Sequence, residues 1–342
     1  MLFFCSPIGL GHATRDIAIV KNLNIDNEVL EFVTGSNAHI FITDYGYKTL
    51  NVYNPPEFNI ENGILNNSFT WIIKYFLYYK ESKVVAKNLI IKDKDKFLIS
   101  DEDFASISIA EEKGRKRILI TDILNTKFTS GFSSIIEKQM NKKLCKMINR
   151  CDCVIIPDFG KDVENRRYVG PIVRKINDTR ENLRKKFNFN KKTILVCVGG
   201  TYYGKFLIEK VIESFERIKK KFDVDLVIVS GPSLTIKHSN DFRTLQFVPN
   251  LNEYIYACDL VISLAGKSTI DESIVYNTPG IFIPLKNHFE QEEGAKKLGF
   301  KFNDIFRLEE LIQEKISFNN NGMKKNVENG AQKAAKIIQE FL

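Results

Sequence analysis

The chain has 342 residues, 44% of them hydrophobic and 27% charged, with a net charge of +8. That is globular composition, and enough chain for two domains of roughly 150 residues each. The positive charge favours anionic partners such as phosphates or acidic headgroups, but it is spread out and forms no arginine-rich arm, which argues against nucleic acid. No run of about 18 uncharged apolar residues exists, and the opening MLFFCSPIGLGH lacks the basic n-region of a signal peptide. The reading is therefore a cytoplasmic protein, soluble or held peripherally at the inner face of the membrane. The six cysteines form no CxxC pair, which predicts reduced thiols and no zinc site.

In chain order, apolar runs predict strands at Leu2–Cys5, Val29–Thr34, Phe97–Ser100, Arg117–Thr121 and Val154–Pro157. A second series follows at Thr193–Val198, Asp225–Ser230, Thr244–Phe247, Leu260–Ser263 and Gly280–Pro284. Most are continuous rather than alternating, the pattern of parallel strands covered by helices on both faces. Helical stretches lie between them at Thr14–Leu23, Ser134–Asn149, Phe206–Phe222, Asp271–Tyr276 and Gln291–Leu298, and Lys324–Leu342 closes the chain. The expected fold is α/β, with two doubly wound Rossmann-like domains facing across a cleft. Residues 1–168 form the first domain, 169–325 the second, and 326–342 a terminal helix able to cross back.

Ligands of open α/β sheets bind beyond the carboxyl ends of the strands. After the first strand, Gly9-Leu10-Gly11-His12 turns into a helix carrying Arg15. The glycines permit a tight turn, and the histidine offers a group that titrates near neutrality. Arg15 either holds a phosphate or covers the helix face. Asp101, ending the Phe97–Ser100 strand on the same sheet edge, either orients His12 or caps a helix.

In the second half, Gly200 and Thr201 follow a strand in a glycine-rich turn suited to phosphate. Between Gln246 and Phe300 the signal is denser. Val248 ends one strand, and Gly266, Lys267, Ser268 and Thr269 open a helix after another. Free N–H groups there would cradle a diphosphate. Glu272, one turn inside, either accepts from a ribose diol or closes a capping box with Thr269. Glu290 and Gln291 follow the next strand as polar groups suited to sugar hydroxyls. The D-x-D triplets Asp93-Lys94-Asp95 and Asp223-Val224-Asp225 read as solvated charge, and no histidine–carboxylate cluster has metal spacing along the sequence.

Together these segments resemble GT-B glycosyltransferases, nearest to glycosyltransferase family 28 and the lipid-linked N-acetylglucosaminyltransferase of peptidoglycan synthesis. The resemblance implies hexosyl or N-acetylhexosaminyl transfer from a nucleoside-diphosphate sugar, in the uridine form, to an acceptor hydroxyl, with inversion and no bound cofactor or metal. It implies that Val248 meets the base, that Gly266 to Thr269, Gly200 and Thr201 line the diphosphate, and that Glu272 binds the ribose. Glu290 and Gln291 would contact the donor sugar, and His12 would serve as base or hold the acceptor. The Gly9-Leu10-Gly11-His12 turn with Arg15 is also similar to that of nucleotide-sugar hydrolases of this fold, so hydrolysis and a non-enzymatic nucleotide-sugar-binding role stand as alternatives. The aromatic segment Phe69–Tyr79, followed by Lys80, Lys83 and Lys87, is either a buried helix or an interfacial one. The second case implies a lipid or lipid-linked acceptor.

Overall fold

The computed structural model describes residues 1–93, 97–129, 131, 133–237, 239–317 and 326–342. Of the sequence expectations, Lys94 and Asp95 of one D-x-D triplet, and Lys324 and Lys325 at the start of the expected last helix, lie outside the described residues.

The chain forms two compact units: Met1–Asn59 with Asn67–Val173 and Asn329–Leu342, and Ile60–Asn66 with Arg174–Glu328. The first opens with β1 (Leu2–Cys5), α1 (Gly11–Val20), β2 (Glu31–Thr34), α2 (Ser36–Asp44) and β3 (Lys48–Asn51). The hairpin of β4 (Asn59–Glu61) and β5 (Ile64–Asn66) follows. The first unit then resumes with α3 (Ser68–Lys92), β6 (Phe97–Asp101), α4 (Phe104–Glu112), β7 (Lys116–Ile120), α5 (Ser133–Asn149), β8 (Cys153–Ile156) and β9 (Arg166–Tyr168). Its seven strands lie in the order β3-β2-β1-β6-β7-β8-β9, all parallel. Strand order reverses between β1 and β6, so the turns after these two strands flank the crevice where doubly wound sheets bind ligands.

The second unit runs α6 (Arg180–Lys186), β10 (Lys192–Cys197), α7 (Lys205–Ile218), β11 (Val224–Val229), β12 (Arg243–Leu245), α8 (Leu251–Ala257), β13 (Leu260–Leu264), α9 (Lys267–Tyr276), β14 (Gly280–Ile283), α10 (Phe289–Lys297) and α11 (Leu308–Ser317). Its parallel sheet has the order β12-β11-β10-β13-β14, with the reversal between β10 and β13. The hairpin belongs here: the Leu65 amide donates to the Lys286 carbonyl at 2.9 Å and the Lys286 amide to the Gly63 carbonyl at 2.8 Å. The last helix, α12 (Ala331–Gln339), returns to the first unit, where the Gly330 amide donates to the Pro171 carbonyl.

The doubly wound α/β architecture expected from sequence is present in both units. Their cores are the apolar strands: Phe3, Phe4, Ile118 and Leu119 in one sheet, Leu195, Val196, Val261 and Ile262 in the other, are fully buried. Strands β3 and β9, which the apolar pattern does not predict, sit at the two edges of the first sheet. KTLN is exposed at both ends and half-buried at its centre, and RRY is half-buried throughout.

The Phe69–Tyr79 segment is neither wholly core nor wholly surface. Trp71 and Ile72 are buried, with Trp71 stacked on Phe58 at 4.3 Å and its indole N–H donating to the Pro56 carbonyl. Phe69, Ile73, Phe76 and Leu77 point outward and are exposed.

Candidate functional site

In the first unit, the chain leaves β1 through Gly9, whose φ of +74° needs glycine, and enters α1 at Gly11. Leu10 at the N-cap makes no side-chain cap. One turn of helix then brings His12 and Arg15 to the end of β6. Cys5 and Asp101 are register partners, and the Ser6 amide donates to the Asp101 carbonyl at 2.9 Å. The Asp101 carboxylate is fully buried. It accepts from His12 Nδ1 at 3.0 Å and from Arg15 Nε at 2.9 Å. The second guanidinium edge reaches Asp122 at 2.9 Å.

The geometry bears on two alternatives left open by the sequence. Asp101 faces His12 rather than a helix end. The cap of α4 is Asp103, which accepts from the Ala105 and Ser106 amides at 2.9 and 3.0 Å. Arg15 is 7% exposed, and its donors meet Asp101 and Asp122, so it serves as their counter-ion rather than as a phosphate hook. Although sequence spacing shows no histidine–carboxylate cluster, His12, Asp101 and Glu102 have ligand atoms within 4.8 Å of one another. Arg15, bound to Asp101 and 3.9 Å from Glu102, supplies positive charge there.

The residue missed is Glu102. It is 7% exposed and lies with φ of +54°, rare outside glycine. One carboxylate oxygen accepts from the Thr121 hydroxyl at 2.9 Å and the Asp122 amide at 3.1 Å. The other stands 3.6 Å from His12 Nε2. Burial opposes charge on His12, but the Asp101 and Glu102 carboxylates outweigh it and raise its pKa to about 9. Burial likewise opposes charge on Asp101, and Arg15 with His12 overcomes it, holding that carboxyl well below its usual range. Burial and the charge of Asp122 lift Glu102 to about 7, against the pull of His12 and Arg15.

In the second unit, the turns after β10 and β13 meet at the strand-order reversal. Gly199 has φ of +78° and Gly200 is buried. Gly231 packs so closely that a Cβ there would stand 2.2 Å from the Gly199 carbonyl oxygen. Thr201 precedes a short turn into α7. Gly266 is the N-cap of α9, with φ of −76°, no side-chain cap, and open space where a Cβ would go. Gly266 therefore lays no side chain over the start of α9. Lys267 is tied along the helix to Asp271 at 2.9 and 3.0 Å. Ser268 and Thr269 are half-buried in the first turn.

Glu272 makes no capping box. It is 3% exposed and accepts from Arg174 at 3.0 Å. Burial raises its pKa, and Arg174 works against that rise. Arg174 also donates to the Pro249 carbonyl at 2.6 Å, beside half-buried Val248. Sequence reasoning passed over Arg174, because its partner carboxylate is 98 residues away. Gln291 accepts from the Leu285 amide at 3.0 Å and braces the loop after β14, and Glu290 on α10 is exposed.

Residues 193–341 match the model of the glycosyltransferase family 28 C-terminal domain. The uncharacterized glycosyltransferase MK0977 of Methanopyrus kandleri is 27% identical over 268 residues, covering 71% of this chain and 75% of that one. The UDP-N-acetylglucosamine–N-acetylmuramyl-(pentapeptide) pyrophosphoryl-undecaprenol N-acetylglucosamine transferase of Thermosipho africanus is 25% identical, with 90% and 86% covered. Among solved structures, the glycotransferase of kitacinnamycin superposes with a TM-score of 0.72 at 12% identity, covering 100% of this chain and 98% of that one. The chain is a glycosyltransferase of GT-B fold, and its residues 193–341 are similar to the family 28 C-terminal domain.

Proposed function

We propose that the enzyme transfers a hexosyl or N-acetylhexosaminyl unit from a UDP-sugar to an acceptor hydroxyl, inverting the anomeric carbon without a bound metal. The observation that carries the donor reading is the uncapped start of α9 at Gly266, one turn from a buried Glu272 held by Arg174. Helix N–H groups would take the diphosphate, Lys267 would add charge at its edge, and Glu272 would turn its carboxylate to the ribose. Gly200 and Thr201 approach from the neighbouring turn, Val248 offers backbone to the base, and Glu290 and Gln291 lie on the side of the donor sugar. The Thermosipho relative carries UDP-N-acetylglucosamine in its name, which supports the uridine form.

Acceptor activation belongs to the cluster of His12, Asp101 and Arg15, reached through the Gly9 and Gly11 turn. Arg15 already supplies the cation beside the carboxylates, in keeping with metal-independent chemistry. A lipid or lipid-linked acceptor is supported by the outward face of α3, where Phe69, Ile73, Phe76 and Leu77 stand exposed among Lys74, Lys80 and Lys83. Exposed apolar groups framed by lysines suit the surface of an anionic bilayer. No helix among the described residues is long and apolar enough to cross a membrane.

The test is release of nucleoside diphosphate from a panel of nucleotide sugars, with and without a membrane lipid extract. Extract-dependent release, with sugar recovered in the lipid fraction, is expected. Fast release of free sugar without extract would replace the proposal with hydrolysis.

A further inference from the structure

Both ring nitrogens of His12 face carboxylate oxygens: Nδ1 lies 3.0 Å from Asp101 and Nε2 lies 3.6 Å from Glu102. The Arg15 Nη2 donor also lies 3.1 Å from Nδ1, and the Glu102 contact is beyond hydrogen-bond range, but two carboxylates flanking one ring favour the form that carries both protons, an imidazolium. A ring in that state has no lone pair to accept a proton from a sugar or lipid hydroxyl. The carboxylate beside it does.

Glu102 is built for that task by three separate features. Its first oxygen is anchored by the Thr121 hydroxyl and the Asp122 amide, so the second is held toward His12. Its backbone is left-handed, at φ of +54°. Such strain costs about 1–3 kcal/mol and gathers at functional sites. Finally, Glu102 lines a recess of about 10 Å³ with Ser6, Pro7, Tyr75, Tyr78 and Tyr79, room for a single hydroxyl rather than for a sugar ring.

We propose that Glu102, rather than His12, takes the proton of the acceptor hydroxyl, with His12 acting as a fixed imidazolium beside it. This rests on the transfer reading above. In the step, the acceptor oxygen forms its bond to the anomeric carbon as its proton passes to the second Glu102 oxygen. The bond from that carbon to the diphosphate oxygen breaks, and the leaving diphosphate keeps the electron pair. The imidazolium charge favours the developing negative charge on the attacking oxygen.

The charges around Glu102 agree with the role. From α1 it faces His12 and Arg15, from its own turn Asp101, and from the end of β7 Asp122, while Asp103 and the three tyrosines of α3 line the same recess. Burial and Asp122 place its pKa at about 7, near working pH for a general base.

The experiment compares Glu102→Gln and His12→Gln with the parent enzyme, using UDP-N-acetylglucosamine and a membrane lipid extract. Glu102→Gln keeps the anchoring contacts and is expected to lower kcat by about 10²–10⁴-fold, with the KM for donor unchanged and no loss of melting temperature. The acid limb of the kcat profile near pH 7 should vanish from the residual rate. Turnover within about threefold of the parent, with an acid limb that follows His12, would overturn the proposal. If the parent releases no diphosphate from any donor, the transfer reading has failed on its own. Carboxyl ¹³C titration then decides the rest. A Glu102 midpoint near 7 while His12 stays protonated retains the proton acceptor, and a midpoint in the ordinary carboxylate range removes it.

Discussion

Asp101 binds His12 and Arg15 at once, on adjacent oxygens of one fully buried carboxylate. Deleting its charge leaves Arg15 with Asp122 and the more distant Glu102 and frees the imidazole to rotate. Breaking a buried pair from one side costs about 3–5 kcal/mol. Asp101→Asn is therefore expected to lower both the melting temperature and turnover, and to return the His12 pKa toward its ordinary value. A variant that melts with the parent would show that Arg15 finds full compensation in Asp122.

This arrangement was only half legible in the sequence. His12 and Asp101 could be paired because both follow buried apolar strands, LFFC and FLIS, whose carboxyl ends define a sheet edge. Glu102 could not, because nothing in three successive acids says that more than one of them faces the histidine. Its role depends on a left-handed backbone that turns it back over His12. Arg174 was hidden for a related reason: no local pattern links it to Glu272. Strands β3 and β9 escaped because edge strands lack the apolar run that announces central ones. The α9 turn was readable because small residues before a helix leave a chemical signature whatever the tertiary context.

Glycines test the second unit directly. At Gly231, φ of +76° and a Cβ position 2.2 Å from the Gly199 oxygen make alanine strained and sterically blocked. Gly231→Ala should destabilise by more than about 1 kcal/mol and displace the Gly199 turn. Gly266→Ala meets open space at an ordinary φ of −76°, so its stability should stay within about 0.5 kcal/mol of the parent. Loss of UDP affinity in Gly266→Ala without loss of stability, measured by calorimetry and melting, is the expected signature of a ligand at the start of α9. Unchanged affinity would move the diphosphate elsewhere.

Glu272 and Arg174 form a buried pair with unequal consequences. Glu272→Gln keeps the shape and is expected to weaken UDP binding by about 10–100-fold, the worth of one charge-assisted hydrogen bond, and to lower the melting temperature because buried Arg174 loses its carboxylate partner. Arg174→Ala strands a buried carboxylate and should reduce both stability and affinity. Equal UDP affinity in Glu272→Gln and the parent would remove Glu272 from the ribose.

The outward face of α3 separates packing from docking. Trp71, buried and stacked on Phe58, should cost about 3–5 kcal/mol on truncation to alanine. Phe76→Ser with Leu77→Ser changes exposed positions, so melting should hold while co-sedimentation with phosphatidylglycerol vesicles falls. Equal co-sedimentation of the double variant and the parent would detach this face from membrane binding.

The pH dependence of stability gives a test that needs no substrate. The folded His12 pKa of about 9 lies above its ordinary 6.5, so the stability His12 gains from its carboxylates is complete below 6.5 and is lost as pH rises through about 9. Each pKa unit corresponds to about 1.4 kcal/mol. The melting difference between the parent and His12→Gln is expected to be largest near pH 6 and to shrink steadily to pH 9.5. Glu102 acts with the same sign for a different reason. Its folded pKa is raised by burial, so ionising it in the fold costs stability between its ordinary 4.5 and about 7. Glu102→Gln should then gain on the parent as pH climbs through that window. Opposite drifts, with His12→Gln falling further behind at alkaline pH, would mean that His12 is neutral in the fold and free to act as the base.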